Sequence, residues 1–245
     1  MNKDIILQIS KDLNVKESQV SVVLDLLSEG NTIPFIARYR KERTGALDEE
    51  QIRSINTVYE YQVNLLKRKE DVIRLIDEKG LLTDELKTSI MACQKLVDVE
   101  DIYRPYKEKK KTKATEAIAN GLEPLSKLIF SFSDLDIKKE AEKYLNDKVK
   151  SVDEALLGAQ YIIAEIISDN AKYRKVIRRM TYKNGVIISK VKKNAPDLNK
   201  TYEMYYDFSE KVSFIKPHRV LALNRGENEK VLTVSIDINE DEIIN

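Results

Sequence analysis

Residues 48–80 read DEEQIRSINTVYEYQVNLLKRKEDVIRLIDEKG, and this stretch decides the fold. Asp48 with Gln51 three residues on forms a capping pair, in which the carboxylate accepts from an early helical N–H while the amide reaches back. Ile52, Ile55, Tyr59, Val63, Leu66, Ile73 and Ile76 then recur at near-heptad spacing, and Gly80 supplies a residue suited to closing the helix. So long a helix either pairs with another long helix or bridges sub-domains, and its narrow apolar stripe points to a helical partner.

Upstream lies a connector, NTIPFIARYRKERTGALDEEQ (31–51). Pro34 fixes its own φ and pushes Ile33 toward an extended conformation. Arg38, Arg40, Lys41 and Arg43 then face the single carboxylate Glu42 before Gly45 breaks the run. Before the connector, Ile5, Ile6, Ile9 and Leu13 mark one face of a short helix. Asn14 with Glu17 reads as the capped start of a second, carrying Val20, Val23, Leu24 and Leu27 and closed by Gly30. Two short helices, a turn and a third helical piece resemble a helix-turn-helix, expected over residues 1–47.

Downstream, helices are expected from Thr83 to Cys93 and from Lys95 to about Ile102, where Tyr103-Arg104-Pro105-Tyr106 forces a break. A basic loop of Lys107, Lys109, Lys110, Lys111 and Lys113 around Glu108 leads into helical segments at 114–120, 124–130 and 137–145. Ser151 and Glu154 cap the strongest helix in the chain, with Val152, Ala155, Leu156, Ala159, Ile162, Ile163, Ile166 and Ile167 on its apolar face. Its phase continues to Asn184-Gly185 with an interruption near Asp169-Asn170, so residues 48–185 read as a helical scaffold. Past Gly185 the texture changes: strands are expected at 186–191 and 230–238, with a Pro217-started helix between them. Residues 186–245 are thus a small mixed α/β region, expected to be incomplete.

Few glycines and prolines, a third of the residues charged and no tryptophan fit a mainly α fold: a helical scaffold with a helix-turn-helix-like start, a long central helix and a few short C-terminal strands. Cys93 is the only cysteine, which excludes an internal disulfide and suits a reducing cytoplasm. No apolar run is long enough for a membrane helix, so no membrane partner is expected. With His218 the only histidine and Cys93, within an expected helix, the only thiol, no Cys-His pair is expected, and without a glycine-rich phosphate loop neither is nucleotide hydrolysis. The chain is expected to be non-enzymatic and to need no cofactor or metal. Asp98, Glu100 and Asp101 are adjacent carboxylates that point to different sides of a helix.

Three blocks carry a resemblance: TIPFIARYRKERTGALDEEQ (32–51), DIYRPYKEKKKTKATEAI (101–118) with NGLEPL (120–125), and MYYDFSEKVSFIKPHRVLALNRGE (204–227). Together, in this order, they resemble the N-terminal region of the Tex family of bacterial transcription accessory proteins. The resemblance implies a helical N-terminal half with a helix-turn-helix module, in a multidomain protein that binds nucleic acid and is related to a eukaryotic elongation factor acting on chromatin. It also implies that this sequence is a fragment ending before the family's RNase H-like, helix-hairpin-helix and C-terminal OB-fold domains. Those domains are then expected partners, alongside the transcription or translation machinery.

Net charge is +1, yet from Asn170 to Pro196 there is no acidic residue. Three basic clusters are therefore candidate sites for RNA or DNA bound with low specificity. The first is Arg38, Arg40, Lys41 and Arg43, which can meet phosphates or pair with Asp48, Glu49 and Glu50. The second is Lys107, Lys109, Lys110, Lys111 and Lys113, beside Tyr103 and Tyr106, which can stack on bases or fill a core. The third lies on the helix after Asn170: Lys172, Lys175 and Arg179 share a face, Arg178 lies on a neighbouring one with Arg174, and Lys183 follows. The alternative is a protein-interaction scaffold whose basic faces dock on acidic partner surfaces without touching nucleic acid.

Overall fold

The computed structural model describes residues 2–109, 111–132 and 134–244. The described residues are mainly α-helical, with fourteen helices and a three-stranded antiparallel sheet, as the sequence pattern requires. Packing divides the chain into two units, Met1–Tyr106 and Lys107–Asn245.

The first unit holds α1 (Lys3–Leu13), α2 (Glu17–Ser28), α3 (Ile33–Tyr39), α4 (Lys41–Thr44), α5 (Glu49–Asp77), α6 (Asp84–Met91) and α7 (Leu96–Tyr103), with a 3-10 turn at Arg104–Tyr106. The long helix α5 organises it. Asp48 accepts from Gln51 N at 2.8 Å and Gln51 Oε1 accepts from Asp48 N at 3.0 Å, so both halves of the capping box form. Gly80, at φ 67, turns the chain out of the helix in the left-handed region.

Two cores share α5. Ile52 and Ile55 pack with Ile5, Ile9, Val20, Leu24 and Ile36 of α1 to α3, while Leu65, Val72 and Ile76 pack with Ile90, Cys93, Val99 and Tyr103 around α6 and α7. At 100° per residue the two sets lie roughly 100° apart around the helix axis. The single stripe expected from sequence therefore shifts phase midway, leaving Val63 exposed and Lys69 buried. Lys69 is satisfied by donating from Nζ to Met91 O at 2.8 Å, which also closes the end of α6. The helical partner is thus not one long helix but short ones at each end.

Two local expectations are corrected. Asn14 does not start α2; it closes α1 at φ 52, and the start of α2 is held by Lys16 N donating to Gln19 Oε1 at 3.0 Å. Ile33 is already helical: Thr32 is the extended cap and Pro34 sits in the first turn, where a missing N–H costs nothing.

The second unit holds α8 (Lys113–Ala119), α9 (Glu123–Phe130), α10 (Ile137–Glu142), α11 (Val152–Asp169), α12 (Ala171–Asn184), β1 (Val186–Val191), β2 (Asp207–Lys211), α13 (Pro217–Asn228), β3 (Leu232–Asp237) and α14 (Glu240–Ile244). Ala155, Ala159 and Ile162 of α11 bury against Ala114, Ala117, Leu122, Leu125, Ala141 and Val149. Small residues let α8 and α9 approach closely. At Asn170 the helix breaks fully, and the Asn170 side chain starts α12 by accepting from Lys172 N and Tyr173 N at 2.9 and 3.3 Å.

The sheet runs β2-β1-β3, all antiparallel, with Ile188 opposite Ser209 on one side and Ser235 on the other. Strand β2 was not expected from sequence. Tyr202, Leu223, Val231 and Leu232 form a core under α13. Gly185, expected to end the preceding helix, does so at an ordinary φ of −67. Its lack of a side chain matters because a Cβ there would come within 2.4 Å of Thr181 O.

Candidate nucleic-acid interface

Helix α12 lies within the stretch from Asn170 to Pro196 that has no acidic residue. Its ends are set by the Asn170 cap and by Gly185, and among the described residues none of its side chains is buried. Lys172, Lys175, Arg179 and Lys183 are all exposed, and at 100° per residue they fall within an arc of about 80°. The stripe extends about 16 Å along the axis, comparable to about five phosphates of one duplex strand. Val176 and Tyr182, 56% and 62% exposed, flank it. Arg178 is half-buried and lies outside the arc.

The basic loop is organised differently. Lys109 sits between two carboxylates of α11, paired with Glu165 at 2.9 Å and with Asp169. Thr112 Oγ1 donates to the same Glu165 at 3.1 Å. Burial alone would pull the Lys109 ammonium down, but its bonds to Asp169 and Glu165 outweigh that and hold it above the usual lysine range. Its charge is thus compensated inside the fold. Lys113 donates to Tyr161 Oη at 3.2 Å and lies 4.8 Å from that ring's centre. Lys107 and Lys111 are exposed, and Lys110 lies outside the described residues. Tyr103 is buried and Tyr106 packs against the same core, so the two tyrosines fill space under α7.

At the connector, Arg38 lies in the last turn of α3 and Lys41 and Arg43 on α4, all exposed. Arg40 is half-buried, donating from Nη1 to Tyr39 O at 3.1 Å with its guanidinium 4.9 Å from the Phe35 ring centre. The pairing with α5 carboxylates considered from sequence is not formed among the described residues. Glu49 instead binds Arg53 at 2.8 Å, and Asp48 is occupied as a cap. The connector is held by Gln19, whose Nε2 donates to Thr44 O at 2.9 Å and Gly45 O at 3.3 Å. Sequence reasoning missed this residue, because neither charge nor periodicity marks a glutamine that bonds a turn so far along the chain.

Glu100 binds Arg68 at 2.6 Å, and Cys93 is buried with its thiol donating to Ser89 O at 3.4 Å. His218 is exposed in the first turn of α13. Among the described residues no three His, Cys, Asp or Glu side chains are grouped to hold a metal, and no helix is long and apolar enough to cross a membrane.

Residues 3–77 match the Tex-like protein N-terminal domain and residues 133–244 the Tex central region. The chain is 48% identical over 240 residues to the uncharacterized protein YdcI of Bacillus subtilis, covering 96% of this chain and 33% of that protein. It is 34% identical over 234 residues to the transcriptional accessory protein Tex of Neisseria gonorrhoeae, covering 96% and 31%. It is 30% identical over 255 residues to the human S1 RNA-binding domain-containing protein 1, covering 98% and 25%. The chain thus spans about a third of the length of the curated bacterial relatives it matches.

Proposed function

We propose that this chain, which belongs to the Tex family and carries its N-terminal domain and central region, binds nucleic acid with low sequence specificity as part of a transcription accessory protein. The observation that carries this reading is the α12 stripe: four exposed cations in register, with no carboxylate between Asp169 and Asp197 to neutralise them. Lysine and arginine on such a stripe address phosphates as an array, giving affinity and register without reading bases. The names of two relatives, a transcriptional accessory protein and an S1 RNA-binding domain-containing protein, support the same class of role. The connector cations Arg38, Lys41 and Arg43, with a helix-turn-helix reading of α2 and α3, and the exposed Lys107 and Lys111 are further phosphate contacts in this proposal. The chain acts in the cytoplasm as a scaffold without a reaction of its own, working with the other domains of its family and with the transcription or translation machinery.

Fluorescence anisotropy with labelled RNA and DNA, titrated with salt, tests it. The variant K172A/K175A/R179A/K183A is expected to keep its helical circular dichroism and to lower the slope of log affinity against log salt by about 3, at roughly 0.7–0.9 per lost phosphate contact. Absence of binding by the wild type at low salt sinks the proposal. A second reading has its own observation: Tyr173, Val176 and Tyr182 stand exposed beside the cations, as at a protein-docking helix. Under that reading Val176→Ala would weaken association with an acidic partner domain, and the wild type would bind no oligonucleotide at low salt.

A further inference from the structure

The connector offers a second and chemically different contact. We infer that Tyr39, backed by Phe35 and Arg40, is a stacking site for an unpaired base of single-stranded nucleic acid. The inference rests on the nucleic-acid reading above and adds to it a residue, a mode of contact and a strand preference.

Ile33, Ile36 and Ala37 turn α3 toward the core of the first unit. The helical period then puts Phe35, Arg38 and Tyr39 on the opposite, solvent side. Phe35 and Tyr39, one turn apart, have ring centroids 5.2 Å apart at an interplanar angle of 43°. Tyr39 is 66% exposed. A lone exposed tyrosine needs no explanation; this one belongs to a built surface. Arg40 lies over the Phe35 ring at 4.9 Å and donates to the Tyr39 carbonyl at 3.1 Å, which places its guanidinium beside the two rings. Gln19 holds the far end of α4 through the carbonyls of Thr44 and Gly45, which fixes the backbone carrying Lys41 and Arg43. Among the described residues Arg38, Lys41 and Arg43 make no ion pair and are exposed, Arg38 on the same helix as the two rings and Lys41 and Arg43 on the next, α4.

An exposed ring in a segment with four cations against one carboxylate, Glu42, is the combination that single strands require: a face for a base and positive charge for the backbone. A duplex hides its base faces within the stack and offers an exposed ring only groove edges and phosphates. The same ring therefore discriminates strandedness without discriminating sequence. An acidic protein would satisfy the cations but leave the rings unused.

The test uses the whole chain with Tyr39→Ala and Tyr39→Phe, binding single-stranded and duplex oligonucleotides of equal length. Tyr39→Ala is expected to weaken single-strand binding about 5- to 100-fold, Tyr39→Phe to restore it, and neither to change duplex binding. A 5-iodouridine oligonucleotide irradiated on the wild-type chain is expected to crosslink to Tyr39, located by peptide mass spectrometry. Equal loss on single strands and duplex, or failure of Tyr39→Phe to restore binding, overturns the stacking role. So does poly-glutamate competing as well as a single strand of equal length, since charge alone would then explain the surface. If the α12 variant loses binding while Tyr39→Ala does not, the stacking site falls and the α12 reading stands. If the wild type binds no nucleic acid, both fall.

Discussion

Asp197 shows how one side chain fixes the start of a small core. Its Oδ1 accepts from Thr201 N at 2.8 Å, and its Oδ2 accepts from Tyr202 N at 2.9 Å and Tyr206 Oη at 3.0 Å. The turn so made seats Tyr202 in the core and presents Tyr205 O to Ser189 Oγ of β1 at 2.7 Å. Burial by itself would raise the carboxyl's pKa; the bonds from Tyr202, Thr201 and Tyr206 outweigh it and hold the group below the usual carboxylate range. A depressed folded value means a stabilisation fully present above the ordinary carboxylate pKa and lost as pH falls through the folded one. Asp197→Asn keeps one acceptor oxygen and turns an amide N–H₂ toward at least one backbone N–H, of Thr201 or Tyr202, so the melting temperature should drop at neutral pH. The gap to wild type should narrow on the acid side as the native carboxyl protonates. Thermal melts followed by circular dichroism across that range decide it, and parallel pH profiles for the two proteins would remove this role from Asp197.

At the scale of elements, α5 and α12 separate what sequence shows from what it hides. The phase change in α5 gives a sharp contrast. Leu65→Ala should cost about 2–5 kcal/mol as a buried truncation, whereas Val63→Ala should stay within about 0.5 kcal/mol. Denaturant unfolding measures both, and similar losses would mean that one continuous stripe is buried after all. The ends of α5 and α11 were legible because a cap is local, with Asp48–Gln51 and Ser151–Glu154 each three residues apart. The stripe's middle was not, since adjacent Leu65 and Leu66 fit either phase and the second core is completed by Lys69, a residue that polarity assigns to solvent. Strand β2, DFSEK, is short and largely polar and becomes a strand only by pairing with β1. The α12 stripe could be counted directly from charge. The compensation of Lys109 could not, because its partner Asp169 is 60 residues away. The packing that orders Tyr39 was likewise invisible among the charges around it.

For the molecule as a whole, two divisions of the chain make different claims about what folds alone. The sequence texture proposes boundaries at 47/48 and 185/186, whereas packing groups residues 1–106 and 107–245. The distribution of buried residues distinguishes them. Ile52 and Ile55 belong to the same core as Ile5, Ile9, Val20 and Ile36. A piece ending at residue 47 therefore exposes that core on the side α5 covers, and small domains have little stability to spare. Residues 1–106 keep both cores and the helix that joins them. That piece should be helical and melt in one transition, because one uninterrupted helix supplies buried side chains to both cores, so that each core holds the helix the other packs on. Residues 1–47 should show little cooperative melting. By contrast the core of Tyr202, Leu223, Val231 and Leu232 lies wholly beyond residue 185, so residues 186–245 are the piece of the sequence-based division that retains its own packed centre. Expressing 1–47, 1–106 and 186–245 separately and following heat unfolding by circular dichroism tests the set. Two resolved transitions within 1–106 would show that its cores fold independently and that α5 links them without coupling them.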